Sequence, residues 1–472
     1  MNNGRVAAID LLRGVAIVGM VISGQMLWNA GLPAAMFHAQ LPPPTFAFDP
    51  SVPGITWVDL VFPFFLFSMG AALPFALRRR EAQGARTQDI FRSALHRWLW
   101  LVIFAIVLAN TRMGRLHDTP TWAAALATLG VWALFFAMFV RVPGMERSRN
   151  TWLNRGGAVA LIAVTALYRP LFGVEISIRQ SDIIILILAW MALCGTLAWW
   201  FTRRRPTVRL GLIALVALLH LASGVEGSWC ARAGALTPAE WLFRWEFLKY
   251  LCLVLPGTIA GDAICDFLQK SAKSPDSSEA RSGKQRLATV FFALSLAALL
   301  GVTLWGLFVR EVGWTVGLSL GLLLAAATTL RGMNDADRTL YGRLLGATAC
   351  WLLLGLAAEP LEGGIKKDPA TVSYFFVTST LALCVVQIAL VGERSFRKGI
   401  RPLEACGANP MFAYTASGYL IAPLLALTML SGPVERMAAL TPWCGFLRGV
   451  LFALLVILLT RLFTRKNYYW KS

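Results

Sequence analysis

Charged side chains are scarce in this chain. Only 15% of the 472 residues are Asp, Glu, Lys or Arg, whereas 57% are hydrophobic. A soluble domain of this composition would carry far more apolar surface than its interior could bury. The scarcity of charge therefore argues against a soluble globular protein and predicts a polytopic membrane protein.

Long polar stretches are also lacking. The two longest, about 269–286 and 331–343, are too short to build a soluble core. The apolar segments run to about 18–22 residues, the length of a helix that crosses a bilayer, whereas a membrane β-barrel would show alternating segments of about ten residues. We expect a single integral membrane domain over residues 1–472. Its fold class is all-α, a bundle of about 11–14 transmembrane helices.

The helices are predicted from the apolar segments and their polar boundaries. They lie near 7–28, 56–77, 94–110, 121–141, 156–173, 183–202, 209–224, 248–268, 287–309, 314–330, 344–358, 373–391, 406–428 and 444–463.

Metal-ligand spacing is missing from the cysteines. The chain has eight cysteines, and most of them lie inside apolar segments, where a small hydrophobic side chain packs readily. We therefore expect no metal site.

Lys and Arg are absent from residues 29–56, although they outnumber Asp and Glu by 44 to 25 in the chain as a whole. They gather instead in alternate connections, such as 78–92, 203–205, 270–286 and 394–401. By the positive-inside rule, we expect both termini in the cytoplasm and the first loop on the outer side.

The formal charge of +19 fits contact with anionic membrane lipids. A nucleic-acid partner is not expected, because the basic residues lie in short scattered connections rather than in one stripe. A homodimer is compatible with the sequence, which does not define the oligomeric state.

The first 78 residues hold the most informative ionisable groups. Asp10 and Arg13 lie in the first apolar segment, His38 and Asp49 follow in the loop, and Asp59 opens the second segment. Ionisable residues at the mouth of a membrane span are energetically costly, so their presence points to function.

Two segments carry a family resemblance, with three shorter ones downstream. The first two are 9–17 (IDLLRGVAI) and 54–70 (GITWVDLVFPFFLFSMG). The shorter ones are Pro256-Gly257-Thr258-Ile259, then Ile365-Lys366-Lys367 with Ser373-Tyr374, and Gly407-Ala408-Asn409-Pro410 with Tyr414. Together they resemble the heparan-α-glucosaminide N-acetyltransferase family and its bacterial relatives, a branch of the transmembrane acyltransferases.

The resemblance implies an enzyme that takes an acetyl group from cytoplasmic acetyl-CoA and delivers it to a sugar or glycan on the outer, periplasmic side. It also implies a catalytic histidine in the first outer loop. Here the family's histidine position falls at Asp49, and Ser23 or Gly24 stands where an asparagine is expected. His38 is the loop's only histidine.

The chemistry favours His38 as the general base. Attack on a thioester by a sugar hydroxyl or amine needs a base with a pKa near ambient pH, which histidine provides. Asp49 is an alternative base, or the group that orients the imidazole, and Asp59 orients a base or caps its helix. A solvated or packing histidine is the alternative for His38.

The remaining candidates bind the two substrates. Arg13, beside Asp10 on one helical face, would meet coenzyme A phosphates, or the two would form an ion pair within the membrane that locks helix packing. Asn409 and Tyr414 would polarise the thioester carbonyl, or make a buried hydrogen bond between helices. Lys366 or Lys367 would bind the acceptor, or extend its charge to the membrane surface.

A transporter or flippase for a saccharide or lipid-linked substrate is the alternative function. Its binding groups are expected near the midplane of interrupted helices. Here the ionisable residues cluster in the first loop and near helix ends, which favours the acetyltransferase.

Overall fold

A computed structural model shows a bundle of helices crossing between two faces. The structure describes residues 5–27, 31–116, 119–237, 239–273, 282–393 and 397–471. Within these ranges, thirteen helices are long and apolar enough to cross a membrane. The chain is an integral membrane protein, and the predicted all-α bundle is confirmed.

Most of the helices follow one another with short connections, whereas a long loop precedes α2. The first half of the chain contains α1 (Ala7–Gln25), α2 (Trp57–Ala82), α3 (Thr87–Asn110), α4 (Thr121–Phe139), α5 (Arg147–Ala166), α6 (Tyr168–Phe172), α7 (Ile183–Thr202), α8 (Pro206–Ser223) and α9 (Trp229–Ala235). The second half contains α10 (Leu251–Lys273), α11 (Gly283–Phe308), α12 (Val312–Thr329), α13 (Asp335–Ala358), α14 (Val372–Gly392), α15 (Arg397–Ala408), α16 (Pro410–Thr415), α17 (Ala422–Leu427), α18 (Ser431–Ala439) and α19 (Pro442–Arg465). A π-helical segment, Ala416–Ile421, joins α16 to α17.

The two ends of the chain meet on one face of the bundle. The Arg5 guanidinium lies 5.1 Å from the centre of the Tyr469 ring. Two short antiparallel strands, β1 (Val140–Arg141) and β2 (Tyr469–Trp470), pair on the same side. We call this side the terminal face, and the opposite side, which holds residues 31–56, the loop face.

Helix α5 also runs between the two faces. It starts just after β1 on the terminal face, whereas the start of α7 lies at the loop face, where Asp182 binds Arg112 at 2.5 Å. The sequence predicts a span at 156–173, but α5 begins nine residues earlier, at Arg147. Its polar first turns, which include Arg147 and Arg149, hide this start from a search for apolar segments.

Burial separates central helices from peripheral ones. In their most apolar windows, α2 and α14 have 78% and 72% of their residues buried, against 17% for α8 and 22% for α12. The peripheral helices therefore present most of their apolar side chains to lipid. The central helices α2 and α14 carry the residues of the site described next.

Glycines allow two pairs of helices to approach at backbone distance. A Cβ atom on Gly257 of α10 would collide with the carbonyl oxygen of Phe67 on α2. In the same way, a Cβ atom on Gly407 of α15 would collide with the carbonyl oxygen of Asp10 on α1. Small residues at such crossings let membrane helices pack closely. These two crossings fix α2 and α1 relative to their neighbours.

Candidate active site

An imidazole and a buried carboxylate meet on the loop face. His38 Nδ1 lies 2.5 Å from Asp59 Oδ1. The His38 side chain is 22% exposed and that of Asp59 only 1%. A carboxylate at Nδ1 favours the tautomer that carries its proton there, which leaves the Nε2 lone pair for a substrate. The hydrogen-bond partners therefore assign Nε2 as the basic nitrogen.

The first turn of α2 fixes the position of Asp59. Its Oδ2 accepts a hydrogen bond from the Thr56 backbone N–H at 2.9 Å and lies 3.2 Å from the Thr56 hydroxyl, which donates to the Phe37 carbonyl at 2.6 Å. The Ala39 N–H adds a longer contact of 3.4 Å. The Tyr374 hydroxyl donates to the Asp59 carbonyl oxygen at 2.5 Å. These contacts hold the buried Asp59 side chain in one position.

Lys367 completes the cluster. Its Nζ lies 3.1 Å from His38 Nε2 and 3.4 Å from Nδ1. The loop that carries it is joined to the first loop by the Gln40 side chain, which donates to the Asp368 carbonyl at 2.5 Å and accepts from the Asp368 N–H at 3.1 Å. Chain segments more than 320 residues apart in sequence are thus held together at His38.

Lys366 takes a different direction from its neighbour. Within the described residues, its ammonium makes no hydrogen bond or ion pair, and its side chain lies beside Gly363. Its backbone N–H donates to the Thr371 hydroxyl at 3.1 Å. Of the two predicted lysines, the structure brings Lys367 to the histidine.

Asp49 lies apart from the histidine pair. Its side chain is exposed and accepts hydrogen bonds from the Ser51 hydroxyl at 2.6 Å and the Ser51 N–H at 2.8 Å. These two bonds hold the pKa of the Asp49 carboxyl below its usual value. A carboxylate with a lowered pKa is a weak base near neutral pH. Asp49, where the resemblance would place a histidine, is therefore poorly suited to proton transfer.

A cleft opens beside His38 on the loop face. It has a volume of about 340 Å³. Its lining residues are Ala34, His38, Ala39, Leu41, Pro42, Pro43, Phe308, Val309 and Arg310. Arg310 was not predicted as a site residue. Its only indication in the sequence is its place in a very short turn between two apolar segments.

A larger and strongly basic cavity lies on the terminal face. Its volume is about 730 Å³. Its basic lining residues are Arg5, Arg79, Arg141, Arg401, Arg461, Arg465 and Lys471, and its acidic ones are Asp10 and Glu404. Burial and the nearby Arg141, Arg5 and Arg79 lower the pKa of Lys471, which reflects the density of positive charge there.

Arg13 is bound to protein groups on three helices. It donates to the Gly407 carbonyl at 3.0 Å, to the Ser68 carbonyl at 3.1 Å and to the Ser68 hydroxyl at 3.3 Å. Its Nη1 also lies 3.5 Å from Asp10 Oδ1 on the same helix. The hydrogen bonds to Ser68 and Gly407 join α1 to α2 and α15, and of Asp10 and Arg13 only Asp10 lines the basic cavity.

Asn409 and Tyr414 likewise bind groups away from His38. The Asn409 amide donates to the Tyr468 carbonyl at 3.1 Å and accepts from the Trp470 N–H at 3.0 Å. The Tyr414 hydroxyl donates to the Asp182 carboxylate at 3.1 and 3.2 Å. Asn409 therefore fixes the chain end at the terminal face, and Tyr414 belongs to a separate cluster with Asp182.

Comparison with known proteins gives one family match. The family model described as Domain of unknown function (DUF5009) matches residues 5–264, more than half of the chain. No curated protein matches the chain. The matched range contains His38 and Asp59 but ends before Arg310 and Lys367.

Proposed function

The chain belongs to the DUF5009 family, and we propose that it is a membrane acetyltransferase, which moves an acetyl group from acetyl-CoA to a sugar or glycan on the loop face. The observation that carries the proposal is the 2.5 Å contact between His38 and Asp59 beside an open cleft. An imidazole with a buried carboxylate on one nitrogen and a substrate-sized space beside it is the arrangement of a general base.

In the proposed reaction, His38 Nε2 removes the proton from the acceptor hydroxyl or amine as that group attacks the thioester carbon. The new bond to the acyl carbon forms, the carbon–sulfur bond breaks, and the imidazolium returns its proton to the leaving thiolate. The buried Asp59 carboxylate stabilises the imidazolium between these two transfers. Direct transfer of this kind needs no acetyl-histidine intermediate.

Lys367 supplies the positive charge that the reaction requires. Its ammonium lies 3.1 Å from Nε2, so it would lie close to the carbonyl oxygen of a thioester placed for attack beside that nitrogen. Negative charge develops on that oxygen during attack, and a fixed cation close to it lowers the barrier. When substrates bind, the ammonium changes its partner from the imidazole to this oxygen.

The basic cavity on the terminal face is the proposed site for the phosphates of acetyl-CoA. Guanidinium groups bind phosphate in a bidentate manner, and several converge there. We place this face in the cytoplasm of a bacterial cell, at the inner membrane, because most basic connections lie on it. The donor and the acceptor would then approach from opposite sides of the membrane.

The test is acetyl transfer from radiolabelled acetyl-CoA to amino sugars, neutral saccharides and cell-envelope glycans by the purified protein. We expect His38→Gln and Asp59→Asn to lower the rate by about 10²–10⁴-fold, as loss of a general base or its orienting carboxylate does. Asp49→Asn is the matched control, since it neutralises an exposed carboxylate of the same loop, and it should change the rate less than about twofold. Thermal unfolding of each variant checks that the fold is kept.

Two results would contradict the proposal. One is transfer that survives in His38→Gln. The other is a wild-type protein that neither labels an acceptor nor binds acetyl-CoA, which would favour a saccharide transporter.

A further inference from the structure

Arg310 occupies a backbone position that normally belongs to glycine. Its φ angle is +66°, in the left-handed region. At the end of α11, the Arg310 N–H donates to the Leu307 carbonyl and the Glu311 N–H donates to the Gly306 carbonyl. This pair of bonds is the Schellman motif, in which glycine is favoured at the left-handed residue because a side chain there is strained.

The strained backbone directs the arginine toward the cleft beside His38. Arg310 lines that cleft, and its Nε donates to the Pro53 carbonyl at 3.1 Å. Within the described residues, the guanidinium makes no other hydrogen bond or ion pair. Its two terminal nitrogens are therefore available for a ligand, and one anchored nitrogen limits how far they can turn away.

The ionisable groups around the cleft favour a ligand of negative charge. Among the described residues that line it, none is acidic. His38 lies at the cleft with the Lys367 ammonium beside it, and the Asp59 carboxylate that contacts His38 is buried and hydrogen-bonded to Thr56. Backbone strain retained at a position that faces an open cleft is typical of a functional constraint.

We propose that Arg310 is the specificity-determining residue of the cleft and that it selects an acceptor sugar bearing an anionic group, a carboxylate, sulfate or phosphate. This inference rests on the proposed function, because only an acetyltransferase would use the bound sugar as an acceptor. Binding of the sugar to Arg310 itself does not require acetyl-CoA. The guanidinium holds the anionic group through two parallel N–H bonds. A hydroxyl or amine of the same sugar then faces His38.

The test is binding of matched sugars to the purified protein in detergent without acetyl-CoA, measured by ligand-detected NMR titration. The probes are methyl glucuronide and its uncharged amide, with glucose 6-sulfate and glucose 6-phosphate beside glucose to identify the preferred anion. We expect at least one charged sugar to bind about tenfold or more tightly than its neutral counterpart. Arg310→Gln should remove that preference.

Two further variants keep the test decisive. Arg310→Gly suits the left-handed backbone, so it should fold as well as the wild type and still lose the preference. Arg232→Gln, which removes an exposed arginine of α9 on the same face, should retain it. Equal binding of charged and neutral sugars by the wild type, or a preference that persists in both Arg310 variants, would overturn the proposal.

The outcome is independent of acetyl transfer. A protein that shows Arg310-dependent preference but transfers no acetyl group would refute the enzyme and support the site. A protein that acetylates sugars without any charge preference would support the enzyme and refute the anion site at Arg310.

Discussion

Asp59 has two functions in one side chain. Oδ2 accepts a hydrogen bond from the Thr56 N–H at the start of α2, whereas Oδ1 faces the His38 imidazole. The same carboxylate therefore caps a helix and orients the proposed base. Asparagine keeps the size and one oxygen acceptor of this side chain, so Asp59→Asn is better suited than Asp59→Ala to separate the chemistry from the fold.

The adjacent lysines offer a matched comparison. We expect Lys367→Gln to lower kcat by about 10²-fold, because it removes the charge proposed to stabilise the developing oxyanion. Lys366→Gln should change kcat less than about twofold, since the Lys366 ammonium binds no described group and surface substitutions have small effects. Steady-state acetyl transfer with a saturating acceptor measures both. If kcat fell equally in the two variants, the loss would come from the reduced positive charge of the loop and not from the position of the Lys367 ammonium.

The sequence predicted that Asp59 orients a base or caps its helix, but spacing alone did not show that its partner is His38. Their contact depends on a loop conformation held by Gln40, whose partner Asp368 lies 328 residues away. Spacing also cannot show whether a polar side chain binds a ligand or a neighbouring backbone. For Asn409 the structure shows backbone partners, and its role toward coenzyme A stays a prediction.

At the scale of helices, the crossing of α2 with α10 determines where Asp59 and Tyr374 lie. The backbones of α2 and α10 approach so closely at Gly257 that a methyl group would meet the Phe67 carbonyl oxygen. Helix α14, which carries Tyr374, packs on both of these helices. A shift of α10 would therefore be transmitted to the hydrogen bond between Tyr374 and Asp59.

Two glycine substitutions test this packing. Gly257→Ala should destabilise the protein by about 1–3 kcal/mol, the usual cost of overpacking. Gly301→Ala on α11 is the control, because a Cβ atom there meets nothing within 4 Å, and it should be neutral or stabilising by up to about 1 kcal/mol. Thermal unfolding in detergent, followed by tryptophan fluorescence, compares the two. A Gly257→Ala protein as stable as the wild type would contradict close packing at this crossing.

Apolar length predicted the long helices better than the short ones. The segments predicted at 287–309 and 314–330 match α11 and α12. The segment predicted at 406–428 is divided, because Asn409-Pro410 begins a new helix and a π-helical segment follows. Helix α15 was missed because it is short and amphipathic, so it lacks the continuous apolar run on which span prediction depends.

At the scale of the whole molecule, the two cavities lie at opposite ends of the central helices. Asp59 and Ser68 are nine residues apart on α2, about 13–14 Å of helical rise. Ser68 holds Arg13, which also binds Gly407. The contacts of Arg13 with Ser68 and Gly407 therefore lie between the two cavities. The acyl arm of a donor bound at the terminal face would have to pass them to reach His38, so these contacts would have to open for transfer. Donor binding at the terminal face and the orientation of that face in the membrane both stay predictions.

The C-terminal strand allows the two cavities to be tested separately. Trp470 is buried against Phe412 and Trp132, and its neighbours Tyr469 and Lys471 line the basic cavity. We expect Trp470→Ala to weaken acetyl-CoA binding about tenfold or more by displacing this wall, at a cost in stability of about 3–5 kcal/mol. Sugar binding on the loop face should be unchanged. Isothermal titration with each ligand tests both expectations.

The control for this substitution is Trp443→Ala, which removes an exposed tryptophan from the opposite end of α19. It should leave acetyl-CoA affinity unchanged. A Trp470→Ala protein that binds acetyl-CoA as the wild type does would place the donor elsewhere.

The position of β2 also has a consequence for biosynthesis. Residues 467–471 are translated after every helix described above, and yet they pair with β1 and supply Asn467, Tyr469 and Lys471 to the basic cavity. A nascent chain that extends only to the end of α19 would already contain the loop, the histidine and its carboxylate, but its basic cavity would lack a wall. Any ligand that needs this wall could therefore bind only after α19 has been synthesised.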